Sequence, residues 1–272
     1  MQLPITVAVT MPFVQEFVRI VGGENVEVFS LAPPGSDPHT YSLTPDDVAR
    51  MPGVDFFFVN GLGLDDPSRR QIDTNAGENA HVVPFAPNVN SPQGGGLTAE
   101  QAHDNAHLWL DPLLALVYPE IIADEFIIYD GVHKDLYDAN FRAYAQQLRD
   151  LVVEIQAQVQ SIPQERRLLI TYHDSFAHFA RRFGLQVAGF VVRSPGDQPS
   201  PSDIDHLTAV VRERGIPAVF AEYGYDSTAI SAIAAAAGVP VCTLYSDIQD
   251  DTTTTYVAMM RANAAEIVRC LK

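Results

Sequence analysis

The longest regular pattern of apolar and polar positions lies in the middle of the chain, between His133 and Ile162. Apolar residues recur there in steps of three and four, which is the spacing of an amphipathic helix. They are Phe141, Tyr144, Leu148, Leu151, Val152, Ile155, Val159 and Ile162. Asp130-Gly131 before the segment and Pro163 after it are helix stop signals. The pattern therefore predicts one uninterrupted helix of roughly 45 Å.

Shorter patterns before this helix predict alternating strands and helices. Four apolar runs are typical of buried strands: ITVAVT, VEVFSLAP, VDFFFVN and HVVPFAP. Helices are predicted at about Pro12–Val21, from Thr44, and from Asp111 towards Ile128. Pro119 is expected to kink or divide the third of these helices. Pro, Gly, Asn and Ser dominate the stretch from Asn88 to Asn105, which is predicted to be a loop.

The same alternation returns after the long helix. RLLITYH, LQVAGFVV, IPAVFAEY and VPVCTLYS predict four more strands, and helices are expected at Ser175–Phe183, Ser202–Arg214, Ser227–Ala237 and Thr254–Leu271. Such alternation indicates parallel sheets with helices on both faces. We therefore predict an α/β fold of two lobes, 1–132 and 163–272, each a four-stranded mainly parallel sheet flanked by helices. One long rigid helix, 133–162, would join them; a core helix within one large domain is the alternative.

Composition narrows the classes of partner. The chain has 272 residues, 47% apolar and 19% charged, as expected of a globular protein with a substantial core. Its net charge of −17 argues against nucleic acid and against an anionic membrane surface as partners. No run of apolar residues is long enough to span a bilayer. The start of the chain carries no export signal, so we expect either a cytosolic protein or one whose targeting segment has been removed.

Two cysteines, Cys242 in a predicted strand and Cys270 near the end of the last predicted helix, leave two interpretations open. A disulfide would hold the C-terminal helix in place and imply an oxidising compartment. Two buried free thiols are the other interpretation, and the sequence favours neither.

Candidate metal ligands lie at the ends of predicted strands or in loops that open helices, where α/β folds place ligand sites. They are His39, His107, His173 and Asp247. Taken singly, each histidine is more often a surface residue or a core residue with a hydrogen-bond partner. Three imidazoles and one carboxylate, two from each lobe, would make a closed tetrahedral site for a first-row divalent cation.

Further polar residues near these positions have two interpretations each. Asp174 could support a metal ligand, although capping the following helix is the favoured role. Glu222 at the end of VFAEY either contacts a ligand or is a loop carboxylate. Asp111 is expected to cap the helix after His107. The remaining histidines are predicted to be surface or helix-face residues: His81, His103, His133, His178 and His206.

The ordered segments PGSDPHTY, HLWLDP, TYHDSFAHFARRFGL and LYSD resemble the metal-binding substrate-binding proteins of zinc and manganese ABC importers, the cluster A-I family. VNGLGLD and YVAMMRANAAEIVRCL add to the resemblance, which covers essentially the whole chain. It implies two lobes joined by one rigid helix, with the metal buried in the cleft between them. His39 and His107 match the family's N-lobe ligands and Asp247 its carboxylate. His173 matches the third ligand, which is histidine in zinc-type members and often glutamate in manganese-type ones.

The chain departs from the family pattern in three places. Zinc-type relatives often carry a long His- and acid-rich loop before the second ligand, whereas residues 88–106 are short and hold only His103. GLDDPSRR lacks the aromatic residue that often follows the third strand. The resemblance implies a periplasmic or cell-surface location, yet neither a signal peptide nor a lipid-bearing cysteine stands near the start.

Three functions compete. The favoured one is a monomeric, non-enzymatic receptor that captures Zn²⁺ and delivers it to an ABC importer permease, with Mn²⁺ or iron as the alternative cargo. Three nitrogen donors favour zinc over manganese. A zinc hydrolase would use the three histidines, with Glu222 as general base and Asp247 unbound. A nucleotide-binding enzyme is disfavoured because the chain has neither a G-x-G-x-x-G fingerprint after its first strand nor a Walker motif.

Overall fold

The computed structural model describes residues 4–86, 105–247 and 252–272. Contacts divide the chain into two compact units, Met1–Asp150 and Leu151–Lys272. The division falls inside the long helix, so each unit contains part of it. The predicted linking segment 133–162 and the lobe boundaries on either side of it stay predictions.

The first unit is built on a parallel four-stranded sheet, as predicted. Its strands are β1 (Ile5–Val9), β2 (Val26–Ser30), β3 (Phe56–Val59) and β4 (His81–Pro84), in the order β2-β1-β3-β4. In register, Val7 of β1 lies opposite Val28 on one side and Phe56 on the other. All four residues of β3 are buried, because a parallel strand is covered on both faces.

Among the described residues of this unit, four helices accompany the sheet: α1 (Val14–Gly22), α2 (Pro45–Ala49), α3 (Asp66–Asn75) and α4 (Val117–Tyr129). Helix α2 begins at a capping box in which Thr44 and Asp47 bond each other's backbone N–H. Helix α3 was not predicted from the sequence. It is almost entirely polar, and the buried Ile72 is its one large apolar side chain, so it lacks the repeating apolar face that marks a helix.

Helix α4 differs from the prediction in where it begins and in the effect of Pro119. A 3₁₀ turn (Leu108–Leu110) follows His107, and the helix begins at Val117 rather than at Asp111. Asp111 is fully buried and accepts a hydrogen bond from the backbone N of Leu113, so it shapes a turn instead of capping the helix. Pro119 does not divide α4, because it is the third residue, where the backbone N–H needs no partner within the helix.

The long central helix is confirmed as α5 (Lys134–Gln160), 27 residues without interruption. A 3₁₀ turn (Gly131–His133) connects it to α4. Its buried residues include Tyr144, Leu148, Leu151, Ile155 and Val159, which were predicted to form its apolar face. Asp130 stabilises the junction between the helices: its Oδ2 lies 2.6 Å from Nδ1 of His133 and accepts a bond of 2.8 Å from the Tyr137 hydroxyl.

The second unit contains the other four predicted strands: β5 (Leu168–His173), β6 (Gln186–Val192), β7 (Val219–Glu222) and β8 (Val241–Leu244). Their ladders form two parallel pairs, β5-β6 and β7-β8, rather than the expected single four-stranded sheet. Strands β5 and β7 lie side by side. The side chain of Glu222, the last residue of β7, connects the ends of these two strands: its Oε1 accepts a hydrogen bond from the backbone N of His173, the last residue of β5.

The helices of this unit begin within two residues of their predicted positions. They are α6 (Ala177–Phe183), α7 (Pro201–Arg214), α8 (Thr228–Ala237) and α9 (Tyr256–Leu271). Ser200 opens α7 with a capping box, and Thr255 caps α9. Gly215 after α7 and Gly238 after α8 adopt the left-handed conformation that ends many helices, with φ of 62° and 74°.

A disulfide joins Cys242 of β8 to Cys270 of α9, which decides between the two interpretations of the cysteines. Helix α9 is also held to α5 by Arg261, whose Nη2 lies 2.8 Å from Oε2 of Glu154. None of the helices among the described residues has the length and hydropathy needed to cross a membrane.

Candidate metal centre

Two of the predicted ligands lie together in the first unit. The Nε2 atoms of His39 and His107 are 3.1 Å apart, and we call these residues the first donor pair. Two donors of a tetrahedral zinc site stand about 3.3 Å apart when each metal–nitrogen bond is roughly 2.0–2.1 Å. The first donor pair is therefore spaced for two corners of such a site.

The ring of His107 is oriented by Asn105. The Asn105 Oδ1 atom lies 2.7 Å from Nδ1 of His107 and also accepts a hydrogen bond of 3.0 Å from its backbone N. Because an amide oxygen only accepts, Nδ1 must carry the ring proton of neutral His107. The lone pair for a metal then belongs to Nε2, the atom that faces His39.

Buried polar side chains at the ends of β1 and β3 support the chain next to His107. Asn60, directly after β3, donates from Nδ2 to the carbonyl of Ala106 and accepts from the Tyr118 hydroxyl. The Oδ2 atom of Asp65 accepts from the backbone N of Asn60 at 2.7 Å and from the Thr10 hydroxyl at 2.6 Å. These bonds anchor the chain around His107 to the carboxyl edge of the sheet.

Two aromatic rings also contact the His107 region. Trp109 is fully buried and its ring centroid lies 5.1 Å from that of His107; the Phe13 ring packs on Trp109 with centroids 5.2 Å apart. The indole of Trp109 is thus a direct neighbour of the first donor pair through the His107 ring.

His39 lies on the loop after β2 and is half-buried. The Asp37 carboxylate accepts hydrogen bonds from the backbone N of His39 at 3.0 Å and from the Thr40 hydroxyl at 2.8 Å. This turn holds the loop backbone on both sides of the imidazole.

The other two predicted ligands lie together in the second unit. His173 is the last residue of β5, and Asp247 follows the end of β8 by three residues. Both are buried, and Nε2 of His173 is 3.4 Å from Oδ2 of Asp247. We call these residues the second donor pair; its spacing also fits one edge of a tetrahedral site.

Glu222 binds His173 at two points. Its Oε1 accepts from the backbone N of His173 at 2.9 Å, and its Oε2 lies 3.0 Å from Nδ1 of the ring. Ser175 donates a third bond, of 3.0 Å, to Oε2. Burial would raise the pKa of Glu222, but the adjacent His173 and hydrogen bonds from His173 and Ser246 hold that pKa below its ordinary value. Because its carboxylate lies 3.0 Å from Nδ1, Glu222 favours the tautomer of neutral His173 that carries its proton on Nδ1 and leaves Nε2 for a metal.

Asp247 is oriented by two hydroxyl groups. Its Oδ2 accepts hydrogen bonds from Tyr225 at 2.8 Å and from Ser246 at 3.0 Å. The Tyr225 ring also packs against the His173 ring, with centroids 5.4 Å apart. One tyrosine therefore contacts both members of the second donor pair.

Other predicted residues have different surroundings. Asp174 does not cap α6, because the N-cap position belongs to Phe176; a supporting role for Asp174 at the metal stays a prediction. His178 lies on α6, one of the two positions predicted for it, and its side chain is buried there. His133 contacts Asp130 at the start of α5. His103 lies outside the described residues.

Sequence reasoning missed Asn105, Tyr225 and Ser246. Asn105 had a detectable signal, since an Asn two residues before a loop His can bond that residue's backbone N–H. Ser246 adjoins Asp247 in the chain. Tyr225 is 22 residues from Asp247, so only the folded turn after β7 brings the two together.

Comparison with known proteins identifies the family. Residues 7–270 match the family described as "ZnuA: Zinc-uptake complex component A periplasmic". The zinc-binding protein TroA of Treponema pallidum is 29% identical over 275 residues, which cover 97% of this chain and 88% of TroA. The manganese-binding lipoprotein MntA of Halalkalibacterium halodurans is 28% identical over 253 residues, covering 91% of this chain and 82% of MntA.

The fold and a third relative agree with this match. The solved structure of the periplasmic zinc-binding protein TroA has a TM-score of 0.89, with 28% identity and 99% of each chain covered. The iron ABC transporter substrate-binding lipoprotein MtsA of Streptococcus pyogenes serotype M1 is 25% identical over 275 residues, covering 96% of this chain and 87% of MtsA. Family members are solute-binding proteins rather than enzymes, which sets aside the hydrolase and nucleotide-enzyme interpretations. The chain belongs to the ZnuA family of metal-binding, substrate-binding proteins of ABC importers.

Proposed function

We propose that this protein captures one Zn²⁺ ion with His39, His107, His173 and Asp247 and delivers it to the permease of an ABC importer. One observation carries the proposal: each donor pair has its donor atoms 3.1 Å or 3.4 Å apart, close to the edge of a zinc tetrahedron. The proposal joins the two pairs around a single ion, in two lobes connected by α5.

The hydrogen bonds behind the rings support this assignment. Asn105 and Glu222 each face an Nδ1 atom, so that the Nε2 atoms of His107 and His173 are available to the metal. Four protein ligands would complete the coordination of zinc and leave no position for a reactive water. Such a closed site suits a protein that carries its ion rather than one that uses it for hydrolysis.

Zinc is favoured by the donor set. Three imidazoles and one carboxylate suit zinc, whereas manganese prefers sites richer in oxygen. The family description and TroA both name zinc. Manganese or iron is the second candidate cargo, because MntA is named for manganese and MtsA for iron.

We further propose that the protein acts outside the cytoplasm, in the periplasm or anchored at the cell surface, as a monomer. The family description includes the word periplasmic, and several relatives are named lipoproteins. The disulfide Cys242–Cys270 supports an oxidising compartment.

The test is competition titration of the metal-free protein with Zn²⁺ and Mn²⁺ against a chromogenic chelator, together with elemental analysis of protein purified without added metal. We expect one zinc ion per chain and tighter binding of zinc than of manganese. His107→Ala and His173→Ala should each weaken zinc binding at least 100-fold, since each removes a ligand from a four-ligand site.

His206→Ala is the matched control, because His206 is an exposed histidine on α7. It should bind zinc as the wild type does. Two bound ions, or zinc binding that survives both ligand variants, would contradict the site. Tighter binding of manganese would assign the protein to the second candidate cargo.

A further inference from the structure

The turn between β7 and α8 reaches both members of the second donor pair. Glu222, the last residue of β7, contacts His173, and Tyr225 contacts Asp247. The backbone N of Tyr225 donates to the carbonyl of Glu222 at 3.2 Å, which closes the turn. The positions of these two supporting side chains are therefore fixed relative to each other.

Contacts with two neighbouring aromatic rings hold the Tyr225 ring in place. The ring stacks on Tyr172, with centroids 5.4 Å apart and planes 25° apart, and lies 5.4 Å from the His173 ring. Its hydroxyl donates to Oδ2 of Asp247, the same oxygen that lies 3.4 Å from Nε2 of His173. Tyr225, together with the Ser246 hydroxyl on the same oxygen, thus holds the Oδ2 atom of Asp247 towards the histidine donor.

The orientation of a carboxylate matters differently to different metals. Zinc in a four-ligand site takes one atom from each ligand. Manganese favours octahedral, oxygen-rich coordination, and a carboxylate that can rotate is able to offer it a second oxygen. A hydrogen bond that holds the carboxylate in one orientation therefore favours zinc.

We propose that Tyr225 is a specificity-determining positioning residue, which holds Asp247 to ligation through one oxygen and so favours zinc over manganese. This inference rests on the proposed function, because it requires Asp247 to be a ligand. Tyr225 itself acts through Asp247.

The test compares Tyr225→Phe with wild type in zinc and manganese competition titrations. The variant keeps the ring and removes the hydroxyl, so the zinc dissociation constant should rise about tenfold, as expected for loss of a hydrogen bond to a charged group. The manganese constant should change less than about threefold, so that the preference for zinc narrows.

Tyr223→Phe is the matched control. It removes a hydroxyl from the same turn, but Tyr223 is 39% exposed and packs on Tyr245. Both of its metal constants should equal those of the wild type.

Two further measurements separate positioning from a general effect on folding. The visible absorption of the Co²⁺-loaded protein reports coordination geometry, and Tyr225→Phe should lose intensity as the carboxylate gains a second contact. In a double-mutant cycle, Tyr225→Phe should have no further effect on zinc affinity once Asp247→Ala is present.

The outcomes are distinct. The proposed role of Tyr225 would be overturned if Tyr225→Phe weakened zinc binding and manganese binding equally and left the cobalt spectrum unchanged. It would also be overturned if Tyr225→Phe still weakened zinc binding in the Asp247→Ala background. Unchanged zinc affinity in Tyr225→Phe would overturn it too, while leaving the metal site intact. Failure of the proposed function would instead appear in the wild type, as absent zinc binding or as zinc binding indifferent to His173→Ala.

Discussion

At the scale of single residues, each donor pair is oriented by side chains that are not themselves proposed ligands. Asn105 orients His107, and Glu222 orients His173. In both cases the acceptor lies behind the ring and determines which nitrogen carries the proton. The metal affinity of the proposed site is therefore expected to depend also on residues other than its four proposed ligands.

Glu222→Gln tests this dependence. Glutamine keeps the shape of the side chain but removes its charge, and its amide can present N–H to Nδ1 of His173. The proton would then move to Nε2 and block the lone pair that a metal needs. We expect zinc affinity to fall about 10- to 100-fold, measured by chelator competition.

Glu266→Gln is the control for this variant, since Glu266 pairs with Arg269 on the surface of α9. Its zinc affinity should match that of the wild type. Unchanged affinity in Glu222→Gln would show that His173 keeps its tautomer without the charge.

The predictability of the site follows from how each residue is placed. His39, His107, His173 and Asp247 lie at strand ends or on loops, and such positions can be read from the alternation of apolar runs. Tyr225 meets Asp247 although 22 residues separate them in the chain, and no local pattern of apolar and polar positions encodes that contact.

At the scale of elements, the junction of α4 and α5 depends on one buried carboxylate. Asp130 accepts hydrogen bonds from His133 and Tyr137 in the first turns that lead into α5. Burial would raise its pKa, but these bonds and the neighbouring His133 hold the pKa of Asp130 below its ordinary value. Burial, together with the bond to Asp130, raises the pKa of Tyr137 to about 12.

A lowered carboxyl pKa stabilises the folded state above the pKa of the unfolded chain, near 4, and this contribution is lost as pH falls through the folded-state value. Asp130→Asn should therefore lower the free energy of unfolding at pH 7 by about 2 kcal/mol. Its difference from the wild type should shrink below about pH 4.

Chemical denaturation of metal-free protein between pH 7 and pH 3 measures both effects, and Asp138→Asn, at an exposed i,i+4 pair on α5, is the control. A pH-independent difference between Asp130→Asn and the wild type would assign the loss to packing rather than to charge.

Elements were predictable where an apolar pattern repeats over several turns or strands. Helix α5 and all eight strands have such patterns. Helix α3 presents one large apolar residue, Ile72, so its formation depends on the sheet it covers. Pro119 and Asp111 were misinterpreted because the same residues occur in turns and in first helical turns, and only the surrounding backbone distinguishes these cases.

At the scale of the whole molecule, bound metal is expected to couple to folding. A ligand that binds only the folded protein stabilises it by about 4 kcal/mol when free ligand exceeds its dissociation constant a thousandfold. The melting temperature should therefore rise with added zinc at pH 7.5 and return to its metal-free value in excess chelator. Differential scanning calorimetry measures the shift.

The His173→Ala variant should show a much smaller zinc-dependent shift in the same scans. A wild-type melting temperature indifferent to zinc would count against any tight site.

The alternation of strands and helices allowed the two-part organisation to be predicted from sequence. The pairing of the last four strands as two ladders was not predictable, because apolar strands of similar length carry no mark of their neighbours.

The position of Trp109 has a practical consequence. It is the only tryptophan of the chain, and its ring packs against the ring of His107, a member of the first donor pair. The tryptophan emission of the unlabelled protein therefore comes from a single site beside a proposed ligand. A metal ion on that imidazole changes the charge next to the indole, so loaded and empty protein should be distinguishable by emission alone. Delivery of the cargo could then be timed with the native chain, without an attached dye.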